Sequence, residues 1–252
     1  MRREGVAVVT GAAGGIGAAT VEALAGSGHR VAALDLDAGG LRALADRADD
    51  QGFDVTAHAV DVTDAHAVEA VFDKIEAELG DVTEAVNVAG LLRPATVLDT
   101  TDTDWAATLA VNLTGVFAVS RAAARRMRAR RRGAIVTVGS NAGGVPRGGM
   151  AAYAASKAAA AHLTRCLGLE MAPHGVRCNI VSPGSTDTPM LRALGAGDVI
   201  AGDAAAFRTG IPLGRVAAPA DIADAVLFLL SERARHITMH ELYVDGGATL
   251  RA

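Results

Sequence analysis

Short apolar runs rich in β-branched residues alternate along the chain with longer segments of alanine and leucine. The runs fall at residues 6–9, 30–34, 55–59, 82–88, 134–138, 177–181 and 241–244. They are continuous rather than alternating, the pattern of parallel strands covered on both faces. Residues 15–26, 65–79, 105–128, 154–171 and 219–230 read as helices between them. Pro173-His174-Gly175 stops one helix, and Pro219 opens another with Asp221 in its first turn. Strand–helix–strand repetition predicts an α/β fold, a doubly wound parallel sheet of about seven strands with right-handed crossovers. No linker, repeat or low-complexity stretch divides residues 1–252, so a single domain is expected. One long irregular segment, about 188–218, carries Gly195, Gly197, Gly202, Gly210 and Gly214 and is expected to form a lid.

Half of the 252 residues are hydrophobic, enough for one large core. With a net charge of −4, nothing global points to nucleic acid or to an anionic membrane surface. The densest charge run, Arg125-Arg126-Met127-Arg128-Ala129-Arg130-Arg131-Arg132, ends a predicted helix, where cations complement the helix dipole. Behind Arg2 and Arg3 the apolar run is short and is broken by Gly11 to Gly17. It reads as neither a secretory signal nor a membrane span, and a cytoplasmic protein is expected. Cys166 and Cys178 lack metal-ligand spacing and are expected to be reduced core thiols. The histidines are scattered, so no metal site is expected.

Thr10-Gly11-Ala12-Ala13-Gly14-Gly15-Ile16-Gly17 lies between the first strand and the first helix. Glycines there permit a tight turn, close backbone approach to a pyrophosphate and close helix packing, while the helix N-terminus offers amide donors. This strand–turn–helix context makes the fold Rossmann-type, with Gly11, Gly14, Gly15, Ile16 and Gly17 as candidate dinucleotide contacts. Asp35 and Leu36 follow about 20 residues later, where a dinucleotide site needs a carboxylate for ribose hydroxyls. That carboxylate would repel the 2′-phosphate of NADP, and the glycine loop has no Lys or Arg to neutralise one, so NAD is expected. Asp61-Val62 follows the third strand, where an adenine would rest, and Asn87-Val88-Ala89-Gly90 closes the fourth at the same crevice. Taken alone, Asp61 is equally a surface turn residue and Asn87 a strand cap.

Tyr153 and Lys157 are four residues apart in a predicted helix and so share one face. A tyrosine is a poor base at pH 7 unless a nearby positive charge favours its phenolate. Lysine is scarce here, Lys74 and Lys157 being the only two, and an ammonium has a proton that can move where a guanidinium has none. Ser140 ends the fifth strand and Asn112 lies in the helix after the fourth, adding a hydroxyl and an amide.

The succession of Thr10–Gly17, Asn87–Gly90, Asn112, Ser140, Tyr153, Lys157 and Pro183-Gly184 resembles the short-chain dehydrogenase/reductase family over nearly the whole chain. The resemblance implies Tyr153 as acid/base, with Lys157 lowering its pKa and holding the nicotinamide ribose. Ser140 would orient the substrate oxygen and Asn112 would support a proton relay. Pro183, Gly184, Thr186 and Thr188 would line the nicotinamide. Val88 departs from the family, many members having a second Asn there. The resemblance also implies that the small-residue faces of helices 105–128 and 154–171 pair copies of the chain, commonly as a homotetramer.

Within that family, the segments 86–93, 146–150, 181–188, 210–214 and 236–238 resemble the 2,3-dihydro-2,3-dihydroxybenzoate dehydrogenases. The substrate implied is a small cyclohexadiene carboxylic acid whose C3 alcohol is oxidised to a ketone that tautomerises to an aromatic ring. A substrate with an amine at C2, a ketone reductase and a catalytically silent dinucleotide-binding regulator are the alternatives. A carboxylate taken out of water calls for a guanidinium. Arg93, Arg147 and Arg192 all lie in segments expected near the nicotinamide. Arg147 is preferred because its loop is tied at both ends to catalytic residues. Leu92, Met150 and Met190 are the other expected substrate contacts.

Overall fold

The computed structural model describes residues 4–195, 198–203, 205 and 208–249. Its strands are β1 (Val6–Thr10), β2 (Arg30–Asp35), β3 (Val55–Ala59), β4 (Val82–Asn87), β5 (Gly133–Val138), β6 (Val176–Pro183), a short hairpin of β7 (Gly202–Asp203) and β8 (Arg208–Thr209), and β9 (Glu241–Val244). Seven of them form one parallel sheet in the order β3-β2-β1-β4-β5-β6-β9. The helices are α1 (Gly15–Gly26), α2 (Ala38–Asp50), α3 (Ala65–Glu78), α4 (Asp102–Leu109), α5 (Val116–Arg130), α6 (Ala151–Met171), α7 (Pro189–Ala193) and α8 (Pro219–Leu230).

The continuous apolar runs are explained by a core on each side of the sheet. Val6 and Val8 of β1 enter one core with Phe72 and Ile75 of α3 and Met127 of α5. Ala7 and Val9 enter the other with Leu24 of α1, Leu44 of α2 and Leu229 of α8. Successive strand side chains point to opposite faces, so a strand buried on both faces must be apolar throughout. The chain starts in the middle at β1, winds outward through β2 and β3, then returns to lay β4 on the other side of β1. That reversal opens a crevice beyond the carboxyl ends of β1 and β4, where open α/β sheets bind ligands.

Three expectations need correction. The helix expected over 105–128 is two helices, α4 and α5, joined by a π-helical turn at Ala110–Gly115. Gly115 helps set that turn, since a Cβ there would lie 2.8 Å from Val62 Cγ2. Cys178 is buried, and burial pushes its thiol up to about 12, but Cys166 is exposed on α6 and is no core thiol. The arginine run does more than cap a helix. Arg125 and Arg126 bind Glu69 and Arg130 binds Glu76 and Asp81, so much of its charge is spent on acidic neighbours.

By length and composition the 102–130 stretch could cross a membrane, yet α5 buries Val119, Ala122, Ala123 and Met127 in the core. Within segment 188–218, residues 196, 197, 204, 206 and 207, Gly197 among them, lie outside the described residues. The rest holds α7 and the β7–β8 hairpin and is tied down near its C-terminal end. There the Leu213 amide donates to Gly246 O at 3.1 Å and the Thr209 hydroxyl to Ala248 O at 2.9 Å.

Candidate active site

The crevice begins with a contact only glycine allows. Gly11 has φ +66°, and a Cβ on it would come within 2.6 Å of Ala89 N, so the β1–α1 loop lies directly against the end of β4. Thr10 fastens the same junction, its hydroxyl accepting from the amides of Val88 (3.1 Å) and Ala89 (3.3 Å). Gly14 caps α1 with nothing within 4 Å of where a side chain would begin, an open cradle at a helix N-terminus. These loops wall a cleft of about 430 Å³ whose lining includes Gly11, Gly14, Gly15, Ile16, Asp35, Leu36, Asp61, Val62, Ala89 and Gly90, and among the described residues no Lys, Arg or His.

Asp35 is held from two sides, its carboxylate accepting from Ala13 N and Asp37 N, both at 2.9 Å. A carboxylate has about four acceptor positions, so hydroxyl donors can still be received. Asp61 accepts from the Thr63 amide at 2.8 Å and its hydroxyl at 2.7 Å.

Two residues expected at the cofactor lie elsewhere. Gly17 is behind the loop, where a Cβ would stand 1.8 Å from Gly11 O; its absence lets α1 pack closely. Asn87 is buried on the α5 side of the sheet, donating to Ser120 Oγ at 2.9 Å and Thr137 Oγ1 at 3.2 Å. As the last residue of β4 its side chain follows the strand's alternation toward the helix layer, not the crevice.

A second cavity, of about 340 Å³, continues from the first and shares Ile16, Val88, Gly90, Thr188 and Met190 with it. Ser140, Tyr153 and Lys157 line it together with Pro183, Gly184 and Thr186, with Leu92, Arg147 and Met150 also in the wall. Pro94, Asn141, Leu191 and Leu194 also line it and were not singled out; Asn141 is simply the neighbour of Ser140 in sequence. Of the other arginines considered, Arg93 is paired with Asp104, and Arg192 holds Asp187 at 2.8 and 3.0 Å; neither lines the cavity.

Lys157 is 4% exposed, and its ammonium donates to Val138 O, at the carboxyl end of β5, at 2.9 Å. A methyl group on Gly90 would be 3.5 Å from Lys157 Nζ and 3.6 Å from Asn112 Oδ1, so both side chains approach the same small space. Asn112 does not line the cavity. From the π-helical turn it receives Leu91 N (2.7 Å) and donates to Leu91 O and Ser156 Oγ (both 2.9 Å). Ser156 in turn donates to Tyr153 O at 2.7 Å. The π-helical turn carries Asn112 at the position from which its side chain makes these bonds. Ser156 was missed although it stands inside the Tyr153–Lys157 stretch.

Burial lowers the Lys157 pKa to about 8. Burial raises that of Tyr153, only partly offset by a hydrogen bond with the Ser140 hydroxyl. The ammonium lies 5.8 Å from the centre of the phenol ring.

A family model described as enoyl-(acyl carrier protein) reductase matches residues 11–249. The chain is 52% identical over 250 residues to the 2,3-dihydro-2,3-dihydroxybenzoate dehydrogenase of Bacillus subtilis (strain 168), covering 97% of this chain and 96% of that protein. It is 43% identical over 252 residues to the vibriobactin-specific 2,3-dihydro-2,3-dihydroxybenzoate dehydrogenase of Vibrio cholerae, covering 96% and 95%. A crystal structure of a short-chain type dehydrogenase/reductase from Mycobacterium marinum superposes with a TM-score of 0.91 at 32% identity, covering 98% and 96%. The chain belongs to the short-chain dehydrogenase/reductase family. Membership implies a nicotinamide cofactor and a small-molecule substrate.

The buried lysine makes stability depend on pH. Its folded pKa of about 8 lies below the ordinary value near 10.4, so the unfolded chain binds its proton more tightly. The resulting cost, about 3 kcal/mol, is fully present below pH 8 and fades as pH rises to about 10.5. Lys157→Met loses the Val138 bond at every pH but escapes this cost. Its stability relative to the parent protein should therefore be about 3 kcal/mol more favourable at pH 7 than at pH 10.5 in urea titrations. A difference that does not move with pH would count against a buried charge.

Proposed function

We propose that the protein is an NAD-dependent dehydrogenase that oxidises the C3 alcohol of 2,3-dihydro-2,3-dihydroxybenzoate, yielding 2,3-dihydroxybenzoate after tautomerisation. The observation that carries this reading is a small, largely apolar cavity holding the Ser140 and Tyr153 hydroxyls and the Lys157 ammonium, with the Arg147 side chain in its wall. The names of the two dehydrogenases, similar to this chain almost from end to end, support the same substrate.

The open cradle at Gly14, the pinned Asp35 carboxylate and the cation-free cleft suit a dinucleotide without a 2′-phosphate. Gly11, Gly14, Gly15 and Ile16 would hold the pyrophosphate, Asp35 and Leu36 the adenosine ribose, and Asp61 and Val62 the adenine. Ala89, Gly90, Pro183, Gly184, Thr186 and Thr188 would hold the nicotinamide half. NAD, when bound, supplies a hydride acceptor at the Tyr153 end. Tyr153 takes the alcohol proton as the C–H hydride departs, and Ser140 orients the alcohol oxygen. Lys157 binds the nicotinamide ribose and favours the phenolate by its charge. Asn112 supports proton relay by fixing the Leu91 backbone and, through Ser156, the Tyr153 turn.

Arg147 would receive the substrate carboxylate, with Leu92, Met150 and Met190 against the ring. Segment 188–218 would act as a lid, since Met190, Leu191 and Leu194 already border the cavity. A homotetramer paired through α5 and α6 is part of the proposal, those helices exposing Phe117 and Leu169.

The direct test is conversion of 2,3-dihydro-2,3-dihydroxybenzoate with NAD, read as NADH and aromatic product in equal amounts. Tyr153→Phe should lower turnover at least about 100-fold, the scale of general acid–base catalysis, while NAD binding changes little. Near-parental turnover would remove Tyr153 from the proton transfer.

With the same alcohol, kcat/KM for NAD should exceed that for NADP at least about tenfold, and Asp35→Ala should shrink the gap. Equal use of both cofactors by the parent protein would show that Asp35 does not read the ribose.

Losing a charge-assisted hydrogen bond costs about 1.5–3 kcal/mol. Arg147→Ala should therefore lower kcat/KM for the acid roughly 10- to 150-fold, leaving NAD affinity and a neutral cyclic alcohol nearly unaffected. If acid and neutral alcohol suffer alike, Arg147 has only a structural role.

A further inference from the structure

Immediately past the last strand, Asp245 is 7% exposed. Its carboxylate accepts from the Gly247 amide at 3.0 Å, from the Thr249 hydroxyl, and from Asn141 Nδ2 at 3.4 Å. All three donors are neutral. Among the described residues no Lys, Arg or His comes within ion-pair distance of it. A carboxylate removed from water without a counter-ion is expensive, and hydrogen bonds compensate it only in part. Its field is thus left to act on whatever lies beside it.

What lies beside it is the reaction cavity. Asn141, its amide partner, lines that cavity next to Ser140. Gly184 lines it too, and is packed so tightly on Asp245 that a Cβ would stand 2.6 Å from Asp245 Cβ. The Gly184 amide donates to Val244 O at 3.1 Å, which fastens the wall to the strand carrying the acid. The carboxylate is therefore one residue layer behind the part of the wall formed by Asn141 and Gly184.

We propose that Asp245 is a fixed negative charge behind the Pro183–Gly184 wall that strengthens binding of the oxidised, positively charged nicotinamide relative to its neutral reduced form. This rests on the reading of that cavity as the nicotinamide site. The oxidised ring carries a positive charge that the reduced ring lacks, so a nearby negative charge discriminates between them. An adenine, ribose or pyrophosphate contact is common to both forms and does not. Bias toward the oxidised form suits a chain that works in the direction of oxidation. Lys157 opposes the effect, but it is the same in parent and variant and cancels when their ratios are compared.

The test is the ratio of dissociation constants, Kd for NAD over Kd for NADH, measured by calorimetry without substrate. Asp245→Asn removes the charge at almost constant shape. The ratio should rise about tenfold, the scale of one unit charge acting across a protein layer at an effective dielectric constant near 20. Thr249→Lys leaves the carboxylate in place and sets an ammonium beside it, so the ratio should rise in the same direction by about threefold. Thr249→Val removes a hydrogen bond but no charge and should leave the ratio unchanged. Equal weakening of both nucleotides in Asp245→Asn, or an unchanged ratio, overturns the proposal. Should Asp245→Asn fail to fold, an unchanged ratio in Thr249→Lys overturns it equally. If the parent protein binds neither nucleotide, it is the functional reading that fails.

Discussion

The Lys157 ammonium, held almost out of reach of water, is the demand around which the reaction end of the molecule is organised. A buried charge needs fixed dipoles in place of water. The carboxyl end of β5 supplies one, the Val138 carbonyl at 2.9 Å. The rest is room kept for it: glycine at position 90, and an Asn112 side chain drawn toward the same space by a π-helical turn. Ser156 then links Asn112 to the backbone of Tyr153, so the lysine, the amide and the phenol are parts of one network. In that network burial opposes ionisation of both groups, favouring neutral lysine and neutral phenol. Added positive charge at the cavity would oppose that preference for Tyr153, as an oxidised nicotinamide does by carrying one.

The same sheet geometry joins binding to chemistry. Because the winding reverses between β1 and β4, the glycine loop and the Val88–Gly90 segment meet edge to edge, and the two cavities become one channel. A dinucleotide spanning that channel would have Asp35 at one end and Tyr153 at the other. Asp35 ends β2 while Tyr153 stands on α6, so the two are carried by separate elements and substitution at one need not disturb the other.

How much of this is legible in the sequence follows from which contacts are local. The seven strands of the sheet can be read because burial on both faces forces unbroken apolar runs, and Tyr153 and Lys157 because four residues is one helical turn. The π-helical turn cannot be read, since its contacts are Leu91, Ser156 and Val62, all distant in sequence. Helix α2 is obscured by Gly39 and Gly40 in its first turn, poor helix formers that the Asp37 cap offsets. Asn87 was misdirected because one step along a strand turns a side chain to the opposite face. In α6, alanines on every side leave no clear apolar stripe, so nothing marks the Cys166 face as outward. Arg147 could be preferred to Arg93 and Arg192 only through its tether between Ser140 and Tyr153. The acidic partners that hold the other two, Asp104 and Asp187, carry no local signature of that task.

Charges at the two ends of the sheet are treated differently. At the amino ends of the strands they are matched: Arg30 meets Asp54 at 3.1 Å, and Arg130 meets Asp81 at 2.9 Å. Matched pairs cancel one another's fields and leave little for a ligand to feel. At the carboxyl ends four groups at or just behind the cavity walls have neutral hydrogen-bond partners: backbone amides for Asp35, Thr63 for Asp61, a carbonyl for Lys157, and an amide and a hydroxyl among the donors to Asp245. Neutral partners fix a charged group in place without cancelling it. Such groups cost stability in the empty protein and act most strongly on a bound molecule, because they need not reorganise when charge develops there. A fold stabilised by opposite-charge pairing everywhere would lack that field. The crevice retains one because Asp35, Asp61, Lys157 and Asp245 are held by neutral groups.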